Sequence, residues 1–132
     1  MQNNIDYAQL SFSSVYQIED FSLIDEWVSY IELKEFIKEF NSNDFSSVIE
    51  NKNYLTKFFN KLKNTIPILI DKTEVKARLT VIETDFMKFE SYISNYLVNE
   101  DIKIKMVKKI NNSFSNLNFQ IDKIIEKKEV IP

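Results

Sequence analysis

The chain of 132 residues contains no glycine, no cysteine and no histidine, and its only prolines are Pro67 and Pro132. Each absence closes a class of chemistry. Without His or Cys, the usual zinc sites, His-ligated haem and the Glu-x-x-His pairs of di-iron bundles cannot be assembled. The two commonest routes to nucleophilic or general-base catalysis near neutral pH go with them. Without Gly, a phosphate-cradling loop or a dinucleotide fingerprint cannot form. The expectation is a chain with no catalytic residues, no metal and no cofactor. Missing Cys also means no disulfide and no evidence about redox compartment. Primed hairpin turns lose their best residue, which argues against an all-β fold, and helix ends must use Asn instead.

No apolar run exceeds Ile66-Pro67-Ile68-Leu69-Ile70, whereas a membrane span needs about 20 such residues. No membrane-spanning segment is therefore expected. Net charge is −3 and the pI about 5.1, which does not recommend a nucleic-acid or anionic-membrane partner. The start, Met1-Gln2-Asn3-Asn4, lacks a charged and then apolar signal segment. That reads as cytoplasmic, or as periplasmic or envelope-attached if a leader has been removed ahead of Met1. The abundance of Ile, Lys, Asn and Phe is also what an AT-rich genome would give without selection, so composition alone carries little weight.

Hydrophobic residues make up 44% of the chain and aromatics 14%, enough for a compact core. From Val75 to Tyr96 the apolar side chains Val75, Leu79, Ile82, Phe86, Phe89, Ile93 and Tyr96 follow at spacings of 4, 3, 4, 3, 4 and 3. This is one unbroken seam along a helix, and a lone helix cannot hide it from water. Val107, Ile110, Phe114, Leu117, Ile121 and Ile124 repeat it on a second helix. The two, joined by a short loop capped at Asn99, read as an antiparallel pair. Asp71 and Glu74 are spaced as a capping box for the first of them. Upstream, Leu55, Phe58, Phe59, Leu62 and Ile66 mark a helix that Pro67 ends, with Asn51 or Asn53 as its cap. Asp44 is the N-cap of a short turn over Phe45–Glu50. Stripes from Ile5 to Phe40 predict a first helix over Asn4–Phe40. At about 55 Å it would outrun its neighbours, so a bend or break is expected near Glu19–Ser22. The fold expected is all-α, a single up-down-up-down four-helix bundle over residues 1–132 with a long first helix.

Charged and aromatic groups have a structural reading beside each functional one. Glu32, Glu35 and Glu39, and also Glu83 and Glu90, lie on shared helix faces. Interleaved Lys34, Lys38, Arg78 and Lys88 make these solvated faces rather than acid–base pairs, which need a carboxylate driven into an apolar pocket. No loop carries the EF-hand pattern for Ca²⁺. Lys103, Lys105, Lys108 and Lys109, with Lys123, Lys127 and Lys128 further on, lack the Arg and exposed aromatics that nucleic-acid surfaces add. Arg78, the sole arginine, is expected to pair with Glu74 on the surface. The sharper alternative has it anchoring Glu83, Asp85 or a partner's carboxylate. Trp27 and the many Phe residues fill a core or line a cavity for an apolar ligand. The connector Ile66-Pro67-Ile68-Leu69 is either a plug under the bundle end or an exposed sticky patch. With Arg78 it forms the candidate interaction set.

Three segments carry a family resemblance: Leu62-Lys63-Asn64-Thr65-Ile66-Pro67, then Lys76-Ala77-Arg78-Leu79 with Glu83-Thr84, then Phe114-Ser115-Asn116-Leu117-Asn118. Over about residues 60 to 125 the chain resembles small, uncharacterised helical proteins of the Gram-negative envelope, often made as lipoproteins. The signal segment and lipidated Cys of such proteins are missing here. The resemblance therefore implies a mature part cut after that Cys, and it bears on localisation alone.

The function expected is a non-enzymatic bundle acting through protein–protein contacts, with the apolar-rich first helix as its contact surface. An apolar small-molecule carrier is the alternative from another class, and a cytoplasmic antitoxin, immunity or regulatory protein is a third.

Overall fold

The computed structural model describes residues 11–95 and 97–130, the side chains of 129 and 130 excepted. The expected core positions Ile5, Ala8 and Tyr96 lie outside the described residues, as does the tail Ile131-Pro132. Among the described residues there are four α-helices and no strand: α1 Val28–Asn41, α2 Lys52–Asn64, α3 Thr73–Asn95 and α4 Glu100–Val130. Each helix touches its chain neighbour, and α1 also meets α4. That closes the ring of an up-down-up-down bundle, as the two seams predict.

The seams are inside from Val75 to Phe89 and from Val107 to Ile124, and Ile93 is half-buried. Val75, Leu79 and Ile82 on α3, and Val107, Ile110, Phe114, Leu117 and Ile121 on α4, are fully buried, and Phe86 and Phe89 nearly so. The α3–α4 contact is the most extensive in the molecule. Over it, α1 buries Leu33, Phe36, Ile37 and Phe40, and α2 buries Leu55, Phe58, Phe59 and Leu62. The layer between is aromatic. Phe86 packs against Phe36, Phe40 and Phe59 with ring centroids 6.1, 5.2 and 5.1 Å apart, mostly edge to face, as ring quadrupoles favour.

The long first helix is corrected. Only Val28–Asn41 is α-helical, and residues 11–27 form an irregular strap with 3-10 turns at Phe12–Ser14 and Phe21–Ile24. Local side-chain capture explains the interruption. Ser11 Oγ accepts from Ser13 N–H at 3.2 Å, and Asp20 Oδ1 accepts from Ser22 N–H at 3.1 Å. Short polar side chains that bond neighbouring N–H groups compete with continuous helix. The expected break at Glu19–Ser22 is present, but the chain on both sides of it is also non-helical.

Some of the remaining boundaries follow side-chain caps, although Asn51, which precedes α2, makes no side-chain capping bond. Asn99 Oδ1 accepts from Ile102 N–H at 3.1 Å and opens α4. Asp44 accepts from the N–H and hydroxyl of Ser46, which hold its carboxyl below the usual range. A single helical turn follows, with Ile49 N–H donating to Phe45 O. For α3, the first turn hangs from the Lys72 carbonyl, which accepts from Val75 and Lys76. Asp71 serves instead as a 3.6 Å ion-pair partner for Lys76, so the Asp71–Glu74 capping box is not the cap in use. A chain without glycine still needs left-handed backbone, and it places Asn43 (φ 61°) and Glu50 (φ 53°) there. Asn tolerates that region. Glu pays about 1–2 kcal/mol for it.

Candidate functional site

Cross-links at the two ends fix what each end can present. At the end where α1 begins, Trp27 Nε1 donates to the Leu62 carbonyl at 3.2 Å, satisfying one of the orphan carbonyls that close α2. Beside it runs the connector. Ile66 and Pro67 are buried, Ile68 is 91% exposed, Leu69 is half-buried and Ile70 is fully buried. A 3-10 turn over Ile68–Ile70, closed by Ile70 N–H on Pro67 O, splits the run this way. The connector is thus mostly a plug, with one side chain left outside.

At the opposite end, the 42–51 connection meets the start of α4, which follows residues 97–99. Lys103 Nζ donates to Asn43 Oδ1 at 2.8 Å, pairs with Glu100 at 2.8 Å and stands 5.0 Å from the Phe45 ring centroid. Glu50 N–H donates to Ser94 Oγ at 2.8 Å, and Asn99 N–H donates to Tyr92 Oη at 2.7 Å. At this end four large apolar side chains are open to solvent: Leu97 at 99% and Val98 at 37% in one connection, Ile49 at 46% in the other, and Ile102 at 44% in the first turn of α4. The helical periodicity does not single out the loop residues among them, because these have no face. The only signal was Leu97-Val98 standing between a seam and its cap.

Arg78 is exposed, and among the described residues it makes no ion pair with Glu74, Glu83 or Asp85. Other cations reach those carboxylates. Lys63 of α2 meets Glu83 at 2.6 Å, while Lys109 of α4 meets Asp85 at 3.1 Å, with Ser113 Oγ donating to the same carboxylate at 2.6 Å. Neither the expected surface pair nor the anchored carboxylate is made, and Arg78 does not adjoin these groups as an ion-pair partner. The lysines of α4 are not a uniform solvated face, since Lys103 is buried. Nor do Glu83 and Glu90 share one, since Glu90 is only 4% exposed.

Sequence reasoning missed the strap's anchorage on α4. Ser115, Asn118 and Asp122 lie at i, i+3 and i+7 on α4 and hold a single segment. Ser115 Oγ accepts from Tyr16 N–H at 3.1 Å, Asn118 Nδ2 donates to Tyr16 O at 2.7 Å, and Asp122 accepts from Glu19 N–H at 3.2 Å. The Tyr16 hydroxyl also donates to Asp122. That bond, with burial adding to it, pushes the Tyr16 hydroxyl up to about 12. Burial likewise raises Tyr30, whose hydroxyl donates to Asn118. Three polar residues on one helix face are a weak sequence signal, because a solvated face looks the same.

The core aromatics occupy one another's space. The surface grooves that stand out are lined by charged side chains. One of about 470 Å³ is lined by Glu19, Asp20, Asp122, Ile125 and Glu126. A second, of about 360 Å³, lies between the strap and α1 and has Phe21, Tyr30, Ile31 and Lys34 in its walls. Phe40, Phe59, Phe86, Phe89 and Phe114 line none of the grooves described. Among the described residues, no group of three or more acidic side chains could hold a metal ion, and no helix is long and apolar enough to cross a membrane. No protein-family model, no curated protein and no solved structure matches this chain.

Proposed function

We propose that the chain is a non-enzymatic helical bundle that works by protein–protein contact through the end that carries the 42–51 connection, residues 97–99 and the start of α4. The observation that carries this reading is Leu97, which stands 99% exposed next to Val98, with Ile102 of α4 and Ile49 also exposed, at an end where hydrogen bonds tie the 42–51 connection to α3 and α4. Keeping apolar side chains on an ordered, solvent-facing end has a cost in water, and a partner surface removes it. The missing reactive residues support a non-catalytic role. The resemblance to envelope proteins supports a periplasmic or envelope-attached setting. A cytoplasmic antitoxin, immunity or regulatory role is the competing assignment, and the native upstream sequence separates the two. An apolar carrier draws no support from a core whose aromatics pack on each other.

Two measurements test the contact reading together. Light scattering across a concentration series reports self-association, and a photo-crosslinking residue at position 97 reports a partner in cells. The expected result is concentration-dependent association, or one discrete adduct that Ile102→Asp abolishes. A strict monomer that yields no more adduct from position 97 than from the exposed position 57 overturns it.

A further inference from the structure

Two buried carboxylates lie on α3, and they are treated differently. Asp85 is 8% exposed and has both a hydroxyl and a cation: Ser113 Oγ at 2.6 Å and Lys109 Nζ at 3.1 Å. Glu90 is more deeply placed, at 4% exposure, and has the hydroxyl alone, with Ser94 Oγ donating to Oε2 at 2.9 Å. No lysine or arginine pairs with Glu90 among the described residues. The other oxygen of Glu90 is not enclosed, so the carboxylate meets water only through an opening, where a bound cation would add a charge partner that the fold does not supply. Glu90 also lines a groove of about 400 Å³ open to the outside, together with Glu50, Asn51, Lys52, Ser94 and Asn95. The two asparagines are oriented by their own helices or turns. Asn51 Nδ2 donates to Ser47 O at 2.9 Å and Asn95 Nδ2 donates to Ser91 O at 3.0 Å. One N–H of each amide is thereby engaged, and each carbonyl oxygen remains an acceptor. The groove offers carboxylate and amide oxygens, and its one cationic wall residue, Lys52, is exposed and does not reach Glu90.

We infer that this groove binds a primary ammonium group, which supplies the counter-ion Glu90 lacks. An ammonium carries three N–H donors on one compact charge, suited to a carboxylate and flanking amide oxygens. A guanidinium binds best across both oxygens of a free carboxylate, and here Ser94 already occupies Oε2. A divalent metal calls for more ligands than this: no described group of three acidic side chains could hold one. The ammonium comes either from a free amine or from a lysine side chain of a protein, and the chemistry at Glu90 is the same. This site is independent of the apolar end, because a small amine needs no contact with Leu97.

The test is a titration of the whole chain with n-butylammonium chloride at fixed ionic strength, followed by amide NMR. A parallel titration uses the capped tripeptide acetyl-Gly-Lys-Gly-amide. Saturable shifts centred on Glu50, Ser94 and Asn95 are expected, with affinity falling about tenfold or more in Glu90→Gln and unchanged in Glu74→Gln. Response to both probes, or to the tripeptide alone, supports the site, and the second outcome assigns the source to a protein lysine. Absence of saturable binding by either probe overturns the inference. So does equal binding by Glu90→Gln, or equal competition by Na⁺ or Ca²⁺. Should Glu90→Gln fail to fold, Asn95→Leu replaces it with the same expected loss.

Discussion

Tyr30 Oη donates to Asn118 Oδ1 at 2.7 Å with both residues buried, and the same amide donates onward to the Tyr16 carbonyl at 2.7 Å. One side chain thus joins α1, α4 and the strap. Asn118→Leu leaves the Tyr30 hydroxyl and the Tyr16 carbonyl unpaired, and should cost about 2–4 kcal/mol. Tyr30→Phe removes a donor but keeps the ring stack on Phe114, so about 1 kcal/mol is expected. Urea denaturation of the two variants checks the order. Equal losses would mean the strap does not depend on the amide.

Two tyrosines in this anchorage make the fold sensitive to alkali. Both Tyr16 and Tyr30 are raised above the ordinary value of 10.0, Tyr16 to about 12. The unfolded chain gives up these protons near 10 and the folded chain does not. Their stabilisation is therefore complete below about pH 10 and is lost as pH climbs through the folded values. Stability measured from pH 8 to 12 should fall from about pH 10 upward. The fall should be shallower in Tyr16→Phe. An identical alkaline slope in that variant would remove Tyr16 from the explanation.

The core was legible because burial repeats with the helix. Val75 to Phe89 and Val107 to Ile121 are inside, as a spacing of 3 and 4 requires of a helix that must hide its seam. The strap was not legible. Phe12 and Val15, and then Phe21 and Ile24, stand at helical intervals, yet Ser11 and Asp20 hold nearby N–H groups and redirect the chain. What then seats the strap is Ser115, Asn118 and Asp122, whose polarity reads equally well as solvation. Leu97 was hidden for a different reason: at a loop, exposure is set by where the connection lies in space, and no period records that. Glu90 was misread as solvated because it shares a helix face with Glu83, which is only half-buried, although it also follows the buried Phe86 by one turn.

Glu50 supports a prediction of opposite sign. Its φ of 53° lies in the left-handed region, where a Cβ crowds the following carbonyl and glycine does not. Glu50→Gly keeps the N–H that Ser94 Oγ accepts. A gain of about 0.5–1 kcal/mol is expected, somewhat offset by the freer unfolded chain. Thermal melting would show it as a small rise in Tm. A loss above 1 kcal/mol would mean that the Glu50 side chain, not the backbone, matters at this turn.

The connector offers a matched pair. Ile68 is 91% exposed and Ile70 fully buried, two residues apart on one turn. Ile70→Ala should cost about 2–5 kcal/mol through lost burial and the cavity left behind. Ile68→Ala should stay within about 0.5 kcal/mol. Comparable losses at both positions would show that Ile68 is covered in solution, which would make this end, too, a contact surface.

Asn41 and Asn111 exchange hydrogen bonds in both directions, at 2.8 and 2.9 Å, across the α1–α4 contact, and Asn41 Nδ2 also reaches Ile37 O at 2.7 Å. A reciprocal amide pair is satisfied in one register only, because sliding either helix by a turn separates the two side chains. Asn111→Leu leaves the Asn41 amide without its partner and should cost about 1–3 kcal/mol. The double variant Asn41→Leu/Asn111→Leu replaces both partners with apolar side chains and should recover most of that loss. A double-mutant cycle would then give a coupling of about 0.5–3 kcal/mol. The amide NMR spectrum of the double variant carries the second readout. If the pair sets register, that spectrum should broaden or double near α1 even though stability is regained. Strict additivity, with sharp single resonances in every variant, would leave the pair with no role in fixing how α1 sits on α4.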